Sequence, residues 1–474
     1  MLKYLLDYAG KKPVQFHMPG HKGPEIFKRY GYGHVLDKLV DIDITEITGT
    51  DNLFQAEGII KGVQDKYQKL YEVKRSYLQI NGTSGGILAS VLASVSPGGK
   101  LIMARNCHKS VFNALTLGNI SPVYVRPELD EQHGIMGAID PDDIKTALSD
   151  NPDAEAVILP SPNYYGVCSD IEKISKIVHD AGKILIVDQA HGAHLKFFHR
   201  FGLGENMPKA AEDCGADLVL NSIHKTLASL TQSALLNLNS DRANRYILED
   251  KLQVIESTSP SYILMSFLEI NAMILEDHGH EALKEWRDNL DYFYHESKSI
   301  DHLKVMDGKF GSEASFDRTK INLSLGDLGI DGAQFEQYLM EYDIFTELHT
   351  GDLLMFMTGI GTSRSDMNRA LTAIKEIIIK ADTGKISRLP KKQKILIPEA
   401  ETLHPIPKQR EYVNLDDTNG KVCASSIIPY PPGIPLVCPG EEITSEIIDY
   451  VKSLRESGEK VIGVNDRNQV PIGR

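Results

Sequence analysis

An α/β fold, with a mostly parallel sheet covered by helices on both faces, is what this 474-residue sequence predicts. Two observations carry that prediction. Apolar runs of strand length recur through the middle of the chain, and helical patterns with clear start and stop signals separate them. The runs lie at 77–80, 100–104, 122–126, 156–160, 183–188 and 217–221. A helix is expected over 87–95, directly after the glycine-rich turn that follows the first run. Asp140-Pro141-Asp142-Asp143 opens another, with an N-cap acid, proline at the first helical position and acids in the first turn. Ser169-Asp170 starts a third, which Ala181-Gly182 closes. Beyond about residue 240 the alternation loosens into helices at 266–275 and 280–294 and strands at 320–325 and 353–357. This length is too great for one compact domain. The expected division is an N-terminal segment over 1–50, a large domain over 51–275, and an α+β region over 276–474 whose last module begins near 396. FHMPGHKG (16–23) reads as loop rather than helix, the basic 388–394 stretch as a solvated linker, and PYPPGIPLVCPGEE (429–442) as a stiff irregular loop.

Composition narrows the class. Apolar residues make up 42% and charged residues 24%, ordinary for a globular chain. A formal charge of −14 disfavours broad nucleic-acid binding, which needs a basic face, while tolerating a cationic ligand. Five cysteines without a Cys-x-x-Cys pair argue against a disulfide framework and favour the cytoplasm. The start carries Asp7 within a short apolar stretch and lacks a signal-peptide core. No run of eighteen apolar residues indicates a membrane span.

Four segments that follow expected strands carry the chemistry. NGTSGG (81–86) opens a helix with free amides and hydroxyls suited to an anion, phosphate being the usual one. In ARNCHKS (104–110), His108 is placed to stack on a flat ring or to cap the next helix. In ILIVDQAHGAH (184–194), Asp188 ends a nearly all-apolar strand at the sheet's carboxyl edge, where open α/β sheets bind ligands. A carboxylate there needs a cationic or hydrogen-bonding partner. His191 and His194 lack a third metal ligand at credible spacing, so no metal is expected. In LNSIHKTLASLTQSA (220–234), Lys225 follows the next strand. Together these parts fit one cofactor, pyridoxal 5'-phosphate: a phosphate cup, a stacking histidine, an acid for the pyridine nitrogen and a lysine for the aldehyde.

At this point the chain resembles the bacterial ornithine/lysine/arginine decarboxylases, of pyridoxal-phosphate fold type I. The segments above, with DITEITGTDNL (43–53), STSPSY (257–262) and PYPPGIPLVCPGEE, match family segments in order. The likeness is to the short members without an N-terminal wing domain. The resemblance implies a fold type I large domain and a smaller α+β C-terminal domain. Residue by residue it makes Lys225 the Schiff-base lysine, Asp188 the partner of the pyridine nitrogen and His108 the stacking ring. Thr83, Ser84, Ser222 and His224 become phosphate-cup members, Gly82 and Gly85 admit close backbone approach, and Thr258 reaches the phosphate of a neighbouring protomer. Glu347, in TELHTGDLLMF (346–356), becomes the carboxylate for the substrate's distal amine, with Asp43, Glu46 and Asp51 as further acids in the pool. The implied reaction is α-decarboxylation of arginine, lysine or ornithine, with His191 or a residue of the adjoining protomer as proton donor. The implied assembly is a homodimer with shared sites, to which residues 1–50 contribute contacts. Gln189 departs from the family, where the short members carry glutamate. The alternatives are another fold type I reaction, aminotransfer or aldol-type cleavage, and a catalytically silent cofactor-binding protein acting in regulation or assembly.

Overall fold

The computed structural model describes residues 1–130, 135–306, 315–384, 403–430, 433–456 and 460–474. The 388–394 linker and the start of the last module near 396 lie outside them, as do residues 431 and 432 of the proline-rich loop.

Seven strands form the central sheet: β1 (Arg75–Gln79), β2 (Lys100–Ala104), β3 (Ser121–Val125), β4 (Ala154–Pro160), β5 (Ile184–Asp188), β6 (Leu218–Asn221) and β7 (Ala234–Leu238). Their spatial order is β1-β7-β6-β5-β4-β2-β3. Pairing is parallel from β3 across to β6, and only β7 runs against its neighbours. The six expected strands are all present, within two residues at each end. β7 was not foreseen, because its ALLNL run carries no flanking alternation and sits inside a motif read for its lysine. Nearly every residue of β4 to β7 is buried, as a sheet sandwiched between helices requires.

The helices follow their local signals. Asp140 caps Pro141–Asp150 by accepting from the Asp142 amide, and Asp170 caps Ile171–Asp180 by accepting from Lys173. Helix α1 (Gly82–Ser94) begins inside the glycine-rich segment, five residues earlier than expected. α2 (Lys109–Gly118) follows β2, and the single turn α3 (Ile223–Thr226) follows β6. The two helices expected at 266–275 and 280–294 are one continuous helix, Tyr262–Ser297. Gly279 does not break it; a Cβ there would press on the Phe201 ring at 2.5 Å, so this glycine serves close packing. Residue 275, the expected domain limit, lies within that helix.

A second, four-stranded antiparallel sheet contains Lys304–Val305, Lys320–Ser324, Leu348–Thr350 and Leu353–Met357. The N-terminal segment is built into this region: Val14–Phe16 pairs in parallel with Ile344–Thr346. Gly20 is wedged between two backbones. Its amide donates to the His224 carbonyl at 2.7 Å, and its own carbonyl accepts from Gly361 at 3.0 Å. A Cβ at Gly20 would stand 2.3 Å from the Thr226 carbonyl carbon, so no larger residue fits. Residues 403–474 form a small module with its own apolar centre around Leu415, Val437, Ile443 and Val451. Cys438 of this module packs into the core of the large sheet.

Candidate active site

The carboxyl ends of β1, β2, β4, β5 and β6 open onto one cavity of about 390 Å3. Register explains the convergence. Asp188 stands beside Pro160 of β4 and Leu220 of β6, so the residues after each strand project toward the same space. Asn81–Ser84, His108, Asp188, His191, Ser222, His224 and Lys225 all line it.

The cup is formed where α1 starts. Gly82 adopts φ +63 and donates its amide to the Gln232 carbonyl at 2.8 Å, turning the chain sharply into the helix. The first-turn amides of Thr83 and Ser84 are then left for an outside acceptor. The Thr83 hydroxyl lies 3.1 Å from that of Ser222, joining the starts of α1 and α3. Gly85 does not line the cavity; a Cβ there would meet Glu256 at 3.2 Å and Asn81 at 3.3 Å. His224 commits Nδ1 to the Ser233 carbonyl at 2.9 Å, leaving Nε2 for the cup. Burial lowers its pKa to about 4, with Lys225 and His21 adding to the effect.

His108 caps the next helix, one of the two tasks expected of it. Its Nδ1 accepts from the Ser110 amide, capping α2, while the ring borders the cavity. Burial first, then Lys225, lower its pKa to about 3, so the ring is neutral at physiological pH. Asp188 is 6% exposed and accepts from the Ala190 amide at 3.1 Å. Burial raises its pKa, against the opposing pull of Lys225 and that amide. Lys225 Nζ lies 2.9 Å from His191 Nε2 and 5.8 Å from the centroid of the Tyr164 ring. Burial lowers the lysine's pKa, with Asp188 and Glu347 acting the other way. Burial also drives His191 well below its ordinary value, and its Nδ1 is buried without a hydrogen-bond partner among the described residues.

Glu347 does not itself line the cavity but is bonded to two residues that do, Met18 and Tyr164. Its carboxylate accepts from the Met18 amide at 2.9 Å and from the Tyr164 hydroxyl at 3.2 Å. Asp51 is occupied elsewhere: it accepts backbone amides of Asn52, Glu57, Gly58, Ile60 and Lys61, organising the turn into Ile59–Tyr71. Asp43, Glu46 and Thr258 do not line the cavity, and Thr258 is exposed on the loop after Arg245–Ile255. His194 is held by Asp317, itself ion-paired with Lys320 at 2.8 Å. Lys320 Nζ also donates to the His191 carbonyl at 2.5 Å, bracing that residue from behind.

Gln189 points away from the cavity. Its amide nitrogen donates to Glu212 and Asn221, each at 2.9 Å, and its oxygen accepts from the Ala211 amide at 2.7 Å. Sequence reasoning passed over Tyr164 and Ile434. The SPNYYG segment (161–166) follows β4, a position that could have flagged Tyr164. No local pattern points to Ile434, which arrives from the far end of the chain.

A seven-stranded sheet of this order, with acid and lysine on adjacent strand ends, is the architecture of the fold type I pyridoxal-phosphate enzymes. The lysine decarboxylase of Francisella novicida superposes over 96% of this chain and 78% of its own with a TM-score of 0.79 at 20% identity. Pyridoxamine-pyruvate aminotransferase from Mesorhizobium loti shares the fold more distantly, with a TM-score of 0.52 over 68% of this chain and 84% of its own at 18% identity. The chain belongs to the Orn/Lys/Arg decarboxylase family: the family's major domain matches residues 1–314 and its C-terminal domain residues 386–469. The arginine decarboxylase of Bacillus subtilis (strain 168) is 31% identical over 98% of this chain and 94% of its own length. The inducible lysine decarboxylase of Escherichia coli (strain K12) is 22% identical over 97% and 77% respectively. Among the described residues, no helix is long and apolar enough to cross a membrane.

Proposed function

We propose that the protein is a pyridoxal-phosphate-dependent decarboxylase of a basic amino acid: arginine, lysine or ornithine. The observation that carries this reading is the arrival of Asp188 and Lys225 from adjacent strands on one cavity, whose wall is the amide-bearing start of α1. The donor set fits the cofactor. Asp188 is a buried carboxylate in want of a cation, Thr83 and Ser222 present hydroxyls beside free amides, and His191 Nδ1 is an orphaned buried polar atom.

When bound, pyridoxal phosphate supplies an electron sink conjugated to the substrate's α-carbon. The chain's own groups do the rest. Asp188 would hold a proton on the pyridine nitrogen, with the neutral His108 ring beside the cofactor ring. Thr83, Ser84, Ser222 and His224 Nε2 would hold the phosphate, and Lys225 Nζ would be the amine that holds the aldehyde. Nζ lies 2.9 Å from His191 Nε2, so the two can share a proton, and this pair would supply the one that the α-carbon takes up in place of CO2. Tyr164, its ring tilted 50° against that of His191 with centroids 4.3 Å apart and its hydroxyl donating to Glu347, links the proton relay to the carboxylate that would meet the distal cation. The exposed Thr258 is assigned to the phosphate site of a second copy in a homodimer.

The deciding experiment offers arginine, lysine and ornithine to the purified, cofactor-loaded protein and measures CO2 against keto-acid formation. CO2 from one of them supports the reading, whereas keto acid alone replaces it with aminotransfer. Lys225→Ala is expected to lose both turnover and the visible absorbance of lysine-bound cofactor; retention of both overturns the assignment. Light scattering checks the dimer, and a strictly monomeric, fully active protein contradicts shared sites.

A further inference from the structure

Every described residue that lines the cavity comes from the first half of the chain except Ile434. This residue belongs to the C-terminal module, in the PPGIP stretch of the proline-rich loop. Gly433 turns there at φ +86, and the prolines restrict the loop's backbone. The loop is fastened from both sides. Within the module, Leu436 donates its amide to Ile427 at 2.8 Å. From the large domain, Arg105 leaves the end of β2 and donates to the carbonyls of Pro435 and Leu436, each at 2.9 Å, and to Glu441 at 3.0 Å. Glu441 in turn accepts the Cys438 amide at 2.8 Å. The guanidinium lies 5.3 Å from the Phe112 and Tyr124 ring centroids, and both members of the ion pair are at most 2% exposed.

A buried Arg–Glu pair is a poor source of net stability, because desolvation cancels much of the attraction. What such a pair secures well is geometry, since the planar fork fixes three acceptors at once. Here the acceptors are the loop that carries Ile434. A basic amino acid whose α-amine would take Lys225's place and whose distal cation would meet Glu347 has an aliphatic stem between its charges, and that stem needs an apolar wall. We propose that Ile434 is this wall and a determinant of substrate length, and that Arg105 and Glu441 are positioning residues that hold it in place. The inference rests on the decarboxylase reading of the cavity.

The test uses full-length, cofactor-loaded protein and the variants Ile434→Ala, Ile434→Phe and Arg105→Met/Glu441→Met, the last removing both charges together. For Ile434→Ala the expected result is a KM raised about tenfold with kcat nearly kept, the signature of lost uniform contact to an alkyl stem. Ile434→Phe is expected to shift preference toward the shorter of lysine and ornithine. The double variant is expected to raise KM similarly and to expose bound-cofactor fluorescence to acrylamide quenching. Unchanged KM for all three amino acids in both Ile434 variants overturns the wall. Unchanged KM and quenching in the double variant overturn the positioning role. A parent that binds cofactor and releases no CO2 defeats the decarboxylase reading instead. Quenching then still decides the positioning role, because an unaltered rate in the double variant overturns it.

Discussion

Replacing Gln189 by glutamate, the residue expected at this position from the family resemblance, should be damaging in this chain. The Gln189 amide donates to Glu212 at 2.9 Å, so the substitution sets one carboxylate directly against another in a site where Gln189 is 1% exposed. Glu212 already takes hydrogen bonds from Asn221 and Asn237, each at 2.8 Å, all of them from neutral amides. Two unit charges about 4 Å apart at an effective dielectric near 20 repel by about 4 kcal/mol. Asn221 also loses the donor to its oxygen, a further loss of about 1 kcal/mol. The pair limits the damage by sharing a proton, since burial raises the Glu212 pKa against the pull of Asn237, Asn221 and Gln189. A carboxyl whose folded pKa is raised binds more protons folded than unfolded, so its stability falls as pH rises through that folded value. Gln189→Glu should therefore be tolerated in mild acid and should lower the melting temperature by about 5 °C at neutral to alkaline pH. The exchanged pair, Gln189→Glu with Glu212→Gln, restores an amide–carboxylate contact with the charge moved across, leaving only the Asn221 oxygen without its donor, and should recover most of the loss. Thermal unfolding at two pH values, with urea titration alongside, measures both. A single variant as stable as the parent at both pH values, or an exchanged pair no better than the single, refutes the reasoning.

Asp188→Asn should retain cofactor yet lose turnover about a hundredfold or more, because the buried charge at the pyridine nitrogen is gone; absorbance titration and CO2 release check the two halves separately. Glu347→Gln should raise KM for the dibasic substrate about tenfold to a hundredfold through loss of a charge-assisted contact, with kcat less affected in steady-state kinetics. For Asp317, burial alone would raise the pKa, but His194 and Lys320 outweigh it and hold the carboxyl far below its usual range. Its contribution is thus present above the ordinary carboxylate pKa and fades only as pH falls well below about 4. Asp317→Asn should cost about 3–5 kcal/mol at neutral pH by leaving Lys320 buried and unpaired, with the gap to the parent narrowing in acid by urea denaturation.

What the sequence made legible was the material with local periodicity. Six strands, their order along the chain and the groups at their carboxyl ends could be read because burial on both faces leaves each strand an unbroken apolar run, bounded by polar and glycine-rich turns. Asp188 and Lys225 were readable for that reason. β7 escaped because its short, mostly apolar ALLNL run shows no alternation, and the helices at 266–275 and 280–294 were read apart although Gly279 between them lies inside one helix, against a phenyl ring. The direction in which Gln189 points depends on Glu212 and Asn221, fixed by two strands and a loop at once. Ile434 lay beyond reach altogether, since contacts separated by hundreds of residues leave no trace in a window of eighteen.

The wedge at Gly20 also bears on the order in which a newly made chain acquires its chemistry. The turn carrying Lys225 is clasped by residues from opposite ends of the major part of the chain: Gly20 donates to the His224 carbonyl, and Ile360 donates to that of Thr226 at 2.9 Å. Such contacts span large sequence separations, whose loop-closure entropy delays their formation. During synthesis the central sheet is complete well before residue 360 leaves the ribosome, but the lysine's turn still lacks one side of its clasp. A nascent chain stalled before that point would hold a finished sheet and an unfinished site, so tight cofactor capture becomes a report that translation has passed the second sheet.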